Sequence, residues 1–308
     1  MSKDCQFKYP IRMKRNKTHK NSVFWVLLFI AIFFPWKSAM PLENTTRTET
    51  LRFGHISVED PTITRRKYQP LLSKMEAVLT RKVELVQSTN YSSVIKLFMQ
   101  GKVDMGILNS FSYIQIAREA KLVPIAKRVI DGRGYYQSYI IVNSDSNIKS
   151  LDDLKGKVFA FSDPNSTTGH LLPRLILQKN VINPEKDFHE VLFIGHHDSI
   201  ILAVANRTAD AGSVASYIFD GYDTRITKKI KIIDRSEPIP LGPLVVRFDL
   251  GKEWIDKIKR FFLSLHESEE GRSLLREARL SAFTDVQDKE YDIIRTKYNL
   301  FEKKYILK

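Results

Sequence analysis

The chain is poor in the groups that covalent and metal chemistry require. Its 308 residues hold one cysteine, Cys5, ahead of any foldable region, so no disulfide braces the fold and no thiolate site can form. There is no Gly-x-Ser-x-Gly elbow, no phosphate-binding loop ending in Gly-Lys-Ser/Thr and no Gly-x-Gly-x-x-Gly turn. No catalytic residue and no cofactor is therefore expected. His196-His197-Asp198 invites a metal, but adjacent histidines point apart and no third His or carboxylate stands at a ligand spacing, so no metal is expected either. A basic stripe interleaved with aromatics is also missing. Of the net charge of +14, half belongs to Met1 to Met40, where eight basic residues face the one acid Asp4, and the remaining cations are scattered among acids. That is the pattern of an ordinary solvated surface and excludes a nucleic-acid footprint, although a modest positive field helps to gather anions.

What is present begins with an apolar run. Val23 to Phe34 is unbroken by charge and follows seven Lys or Arg residues. A membrane-crossing helix needs ~20 apolar residues. This run is shorter and ends at Pro35 and Lys37, the layout of an export signal, so a periplasmic or other extracytoplasmic location is expected. Lys37-Ser38-Ala39-Met40-Pro41 is a poor cleavage site, which leaves an uncleaved membrane anchor as the alternative, with membrane contact only in that case. No cysteine follows the run, which argues against a lipoprotein. Residues 1–40 are thus a signal peptide or anchor, and 41–50 a polar lead-in.

From Leu51 onward, short β-rich runs alternate with amphipathic helical stretches, the pattern of an α/β fold with largely parallel sheets. Leu51–Ile56, Val83–Val86, Val103–Leu108, Leu122–Ala126 and Tyr136–Val142 read as strands. Between them, Tyr68, Leu71, Leu72, Met75, Val78 and Leu79 mark one helix. Tyr91, Val94, Ile95 and Phe98 mark the next, capped by Thr89 or Asn90 and ended by Gly101. Asn109-Ser110 opens a third. A second α/β block carries strands at Val158–Phe161, Glu190–Ile194, Ala211–Val214 and Ile230–Ile233, closed by Pro238 and Pro240. Pro243–Arg247 reads as a strand returning to the first block, and the remainder as helical, with Trp254, Ile258, Phe261, Phe262 and Leu265 on one face. Two lobes follow: 51–140 with 239–308, and 141–238, with chain crossings near 136–143 and 237–246 and hinge closure over a cleft.

The segment Val158 to Leu172 carries the chemistry. A strand leads into Ser166-Thr167-Thr168-Gly169, three hydroxyls and a glycine at a helix start. The first N–H groups of a helix lack intrahelical partners and carry its positive end, so oxyanions are stabilised there. Taken alone, the same residues also make an ordinary N-cap. Pro173 is an awkward interior residue, so the helix bends or begins late.

An ordered set of matches sharpens this reading. It comprises Leu51 to Ile56 with Asp60 and Tyr68 to Leu71; Asn90-Tyr91; Gly101 to Asp104; Ser112-Tyr113; Tyr136 to Val142; and Ser150 to Lys157. Ser166 to Gly169, Gly195 to Asp198, Ala209 to Gly212, Pro240 to Val246 and Phe283 to Tyr291 complete it. Over residues 50 to 295 the chain resembles the phosphate/phosphite/phosphonate branch of the periplasmic substrate-binding proteins of ABC transporters.

The resemblance implies a type II binding-protein fold, no enzymatic activity, and a permease with its ATPase as partners. It further implies Ser166, Thr167, Thr168 and Gly169 on a phosphonate, phosphite or phosphate oxyanion, with Tyr91 and Tyr136 on the opposite wall. Thr168 replaces a serine often found there, and its methyl crowds the pocket. The resemblance also selects His197 as the histidine expected to reach the ligand, with Asp198 expected to cap the next helix; Asp210 is expected either to contact an amine-bearing substrate or to be a strand-end structural acid. The tyrosines have an alternative as core aromatics with bonded hydroxyls. A membrane-anchored sensory module with the same cleft is the rival to the importer receptor.

Overall fold

A computed structural model of the protein describes residues 50–56, 60–88 and 90–305. The expected signal or anchor segment, Cys5, nearly all of the lead-in and the Thr89 alternative lie outside the described residues. Among these, no helix is long and apolar enough to cross a membrane.

The described residues form thirteen strands: β1 Thr50–Ile56, β2 Lys82–Ser88, β3 Met105–Ile107, β4 Leu122–Val129, β5 Tyr135–Tyr136, β6 Ser138–Asn143, β7 Val158–Phe161, β8 Glu190–Phe193, β9 Ala211–Ala215, β10 Ile230–Arg235, β11 Ile239–Pro240, β12 Pro243–Arg247 and β13 Ala282–Thr284. One six-stranded sheet runs β13-β4-β12-β3-β1-β2, a five-stranded sheet runs β10-β6-β9-β7-β8, and β5 pairs with β11 in a separate ribbon. The parallel pairs are β1 with β2 and β3, and β7 with β8 and β9; the others are antiparallel. Strands β1 to β4 thus share a sheet with β12 and β13, while β6 to β10 build the other. The β5–β11 ribbon lies where the chain passes from one sheet to the other and back.

Each sheet is buried on both faces, as parallel pairing through helical crossovers requires. In the first lobe Leu51, Phe53, Leu71, Met75 and Phe262 fill one side and Tyr91, Phe98, Tyr113 and Tyr291 the other. In the second, Phe159, Phe161 and Leu177 pack opposite Ile200, Ile201 and Val214. Local chemistry sets the helix ends. The Asn90 side chain accepts from Ser93 N at 2.9 Å, and Gly101, at φ 66°, turns the chain out of helix Tyr91–Met99 in a left-handed conformation that costs glycine little.

Three readings need correction. The strand expected over Tyr136–Val142 is interrupted at Gln137, whose N–H is bonded to Ser216 Oγ instead of to a strand. The C-terminal stretch expected to be helical contains β13, three residues pairing with Val129, Arg128 and Lys127. Strand β4 continues past Ala126 to Val129, carrying two cations into the sheet.

Candidate functional site

Strand β7 ends at Phe161, and the chain turns through Ser162 to Ser166 into a π-helical turn, Thr167–Leu171, before helix Leu172–Lys179. Pro173 accounts for this late start. Lacking an N–H, it cannot bond the Gly169 carbonyl, and its ring would press on that oxygen in a regular helix. The turn widens, with Leu171 N bonding Ser166 O at 3.0 Å and Leu172 N bonding Thr167 O. The freed Gly169 carbonyl accepts from Ser162 N and Ser213 Oγ, each at 3.0 Å, and the Thr168 carbonyl accepts from Ser138 Oγ at 2.6 Å. Side chains from β6 and β9 therefore pin the turn in place.

The three hydroxyls do different work. Ser166 Oγ accepts from Gly169 N at 3.0 Å, an N-cap. Thr167 Oγ1 reaches the other lobe: it accepts from Phe111 N at 2.9 Å and donates to Asn109 Oδ1 at 2.9 Å. Among the described residues the Thr168 hydroxyl has no protein hydrogen bond, and it lines a cavity of about 30 Å³ between the lobes. Gly169 leaves no room for a side chain, since a Cβ there would lie 1.9 Å from Ser162 Oγ and 2.9 Å from His197 Cε1. Asn109 Nδ2 to Asn165 O at 3.2 Å and Asn165 Nδ2 to Ser92 Oγ at 2.9 Å add further bonds between the lobes, so the cleft is closed.

Tyr91, Tyr136, Ser166, Thr167, Thr168 and His197 all line that cavity. Burial raises both tyrosine hydroxyls, Tyr136 to about 12, so they remain neutral donors. His197 accepts from Ala215 N through Nδ1 at 3.3 Å, which assigns its proton to Nε2. Burial, followed by the neighbouring His196, holds His197 down at about 4, so it is neutral near pH 7.

Two expectations fall away from the cavity. Asp210 sits at the opposite end of the sheet, where its carboxylate accepts from Val158 N at 2.8 Å and its own N–H bonds Val158 O at 3.0 Å. Val158 opens β7 while the cavity lies beyond its carboxyl end, four residues and roughly 10 Å away; the structural alternative describes this acid. Asp198 does not cap its helix. His196 occupies the N-cap position, and Asp198 lies within the first turn, accepting from Ser199 N at 2.8 Å, where its charge complements the helix dipole.

Four polar lining residues went unforeseen: His55, Asn109, Arg128 and Tyr217. Arg128 matters most. It is only 9 % exposed, its Nε lacks a hydrogen-bond partner, and no carboxylate stands among the groups that act on its charge. Burial works against its protonation, but the Tyr217, Tyr68 and Tyr136 oxygens outweigh that, and its pKa is raised. Beside it, His55 is buried, with neither ring nitrogen in a hydrogen bond of normal geometry; burial, then Arg128 and Lys67, keep it neutral with a pKa of about 3. The signal in the sequence was a pair of cations, Lys127-Arg128, inside an apolar strand. Their side chains take opposite faces, Lys127 pairing with Glu290 and Arg128 entering the cleft. Among the described residues no group of three metal-ligating side chains occurs.

The inner cavity is lined by hydroxyls, neutral histidines and the Arg128 cation, with no acid among its lining residues. The chain is 32% identical over 230 residues to the phosphate-import protein PhnD of Mycolicibacterium smegmatis, covering 70% of this chain and 71% of that one. It is 31% identical over 278 residues to the phosphonates-binding periplasmic protein of Escherichia coli, covering 87% and 82%. A binding-protein component of an ABC phosphonate transporter from Pseudomonas aeruginosa superposes with TM-score 0.77 at 28% identity, over 82% of this chain and 86% of that one. PhnD1 of Prochlorococcus marinus, solved with methylphosphonate, shares the fold with TM-score 0.75 at 22% identity, over 83% and 99%. The fold is the two-lobed type II periplasmic binding protein fold. Residues 53–291 match the model of the family described as ABC transporter, phosphonate, periplasmic substrate-binding protein, and the chain belongs to that family of binding proteins rather than to a family of enzymes.

Proposed function

We propose that this protein captures a phosphorus oxyanion between its lobes and delivers it to the permease and ATPase of an ABC importer. The observation that carries the reading is the buried Arg128, with no carboxylate partner among the described residues, facing the Ser166–Gly169 turn across a cavity of about 30 Å³ without acidic lining. A buried cation without a counter-anion is costly, and an anion in the cavity offsets that cost. The oxyanion accepts from Thr168 Oγ1, from the tyrosine hydroxyls and from Arg128, while Ser166 and Thr167 hold the turn and the closed lobes. The small volume favours compact heads, namely phosphite, phosphate or the head of a phosphonate. Export through the Val23 to Phe34 segment brings the protein to the compartment in which its family works.

Calorimetric titration with methylphosphonate, phosphite, phosphate and methanesulfonate tests the reading. At least one phosphorus oxyanion is expected to bind more tightly than the sulfonate; a protein that ignores all three contradicts it. A sensory role is the second reading, supported by 26% identity over 213 residues to the tetrathionate sensor histidine kinase TtrS of Salmonella typhimurium, 36% of that protein. Deleting the gene separates the two. Lost uptake of the bound oxyanion supports the importer, and unchanged uptake with altered ligand-dependent transcription supports the sensor.

A further inference from the structure

The inner cavity does not end blindly. It adjoins an outer one of about 870 Å³ between the lobes, and His55, Arg128 and Tyr217 line both. A ligand whose head sits on the Ser166–Gly169 turn therefore sends its substituent past these three side chains. Arg128 offers a cation with its Nε unbonded and His55 two unbonded ring nitrogens, so this passage is polar and unsatisfied. No carboxylate lines the inner cavity, and Asp210 is occupied with Val158 at the far end of β7. Asp131, Asp198 and Asp223 appear only on the outer wall, where Asp223 is paired with Arg225 at 2.6 Å and Asp198 is bonded to Ser199.

We propose that the preferred ligand is a phosphonate whose substituent bears a second anionic group, a carboxylate a short spacer from phosphorus, held by Arg128 at the junction of the two cavities. This rests on the phosphorus-oxyanion reading above and adds the class of substituent. The oxyanion head takes the Thr168 and tyrosine hydroxyls and one N–H of the guanidinium, and the second anion pairs with the remaining N–H groups of that guanidinium, whose planar fork matches a carboxylate. His55 donates its one N–H to the same group. An aminoalkyl substituent meets a like charge at the junction and finds no acid within the inner cavity.

The test is a titration of the full chain with methylphosphonate, phosphonoacetate and 2-aminoethylphosphonate, repeated on Arg128→Gln and Arg128→Lys. In the wild type, phosphonoacetate is expected to bind about ten- to a hundredfold more tightly than methylphosphonate, as one charge-assisted contact supplies, and 2-aminoethylphosphonate more weakly than either. Arg128→Gln is expected to erase the phosphonoacetate advantage, and Arg128→Lys to retain part of it. Methylphosphonate binding with phosphonoacetate no tighter, or an advantage that survives in Arg128→Gln, overturns the proposal while leaving the phosphorus reading intact. A wild type that binds none of the three phosphonates, nor phosphite or phosphate, overturns both. If thermal melts show that the variants do not fold, the wild-type ranking alone decides.

Discussion

Replacing Thr167 with alanine tests whether closure and capture are the same event. Thr167 Oγ1 accepts from Phe111 N, an amide in the first turn of helix Ser110–Ile116 with no intrahelical partner, and donates to Asn109 Oδ1. In the closed state the substitution leaves the buried Phe111 N–H without an acceptor, while Asn109 Oδ1 retains its bond from Ser112 N at 2.7 Å. The orphaned donor costs about 1–3 kcal/mol. In an open state water satisfies it, so the cost falls on closure alone. Because ligand is held only when the lobes close, the dissociation constant should rise about fivefold to 150-fold. Most of that should appear as faster release. Calorimetry and stopped-flow release on wild type and Thr167→Ala measure both, and melting of the unliganded proteins provides the control. A dissociation constant unchanged within about twofold refutes the latch. So does an apo melting temperature that falls enough to account for the loss, because that outcome marks Thr167 as a structural cap.

Gly169→Ala places a methyl 1.9 Å from Ser162 Oγ and 2.9 Å from His197 Cε1, so binding should be lost and the apo protein destabilised, as calorimetry and melting will record. Asp210→Ala should lower stability by about 0.5–1.5 kcal/mol in urea unfolding and leave affinity for every ligand unchanged, since it removes the acceptor of Val158 N; weakened binding would restore Asp210 to the site. His55, His170 and His197 protonate near pH 6.5 when unfolded but only near 3, 3 and 4 when folded. Between these limits the unfolded chain binds more protons, so stability should fall as pH drops below about 6.5, by at most ~1.4 kcal/mol per pH unit for each histidine. Urea midpoints that stay flat from pH 7 to 5 would contradict their burial as neutral rings.

Most of the fold was legible because it is written in short-range patterns. Leu51 and Phe53 alternate into one core, Asn90 and Gly101 bracket a helix by capping chemistry, and Pro173 announced a late helix start. The hydroxyl turn was legible for the same reason, since Ser166 to Gly169 are consecutive. What escaped notice depends on contacts distant in sequence. Arg128 reads as a solvated cation until β4 is flanked by β12 and β13 and the second lobe covers it. His55 is hidden inside a strand whose neighbours are apolar. Asp210 belongs to the same sheet as the turn but lies at its other end, because a strand has two ends and only the carboxyl end of β7 faces the cleft. The division of labour among Ser166, Thr167 and Thr168 was equally hidden, since only the approach of Phe111 distinguishes a latch from a ligand contact.

The most direct measurement is a crystal structure of the protein grown with methylphosphonate. The account predicts the phosphonate in the inner cavity, its oxygens within about 3 Å of Thr168 Oγ1 and the Arg128 guanidinium, with Thr167 still bonded to Phe111 N. A phosphonate bound elsewhere with the cavity holding only water, or an Arg128 side chain turned away from the ligand, would contradict it.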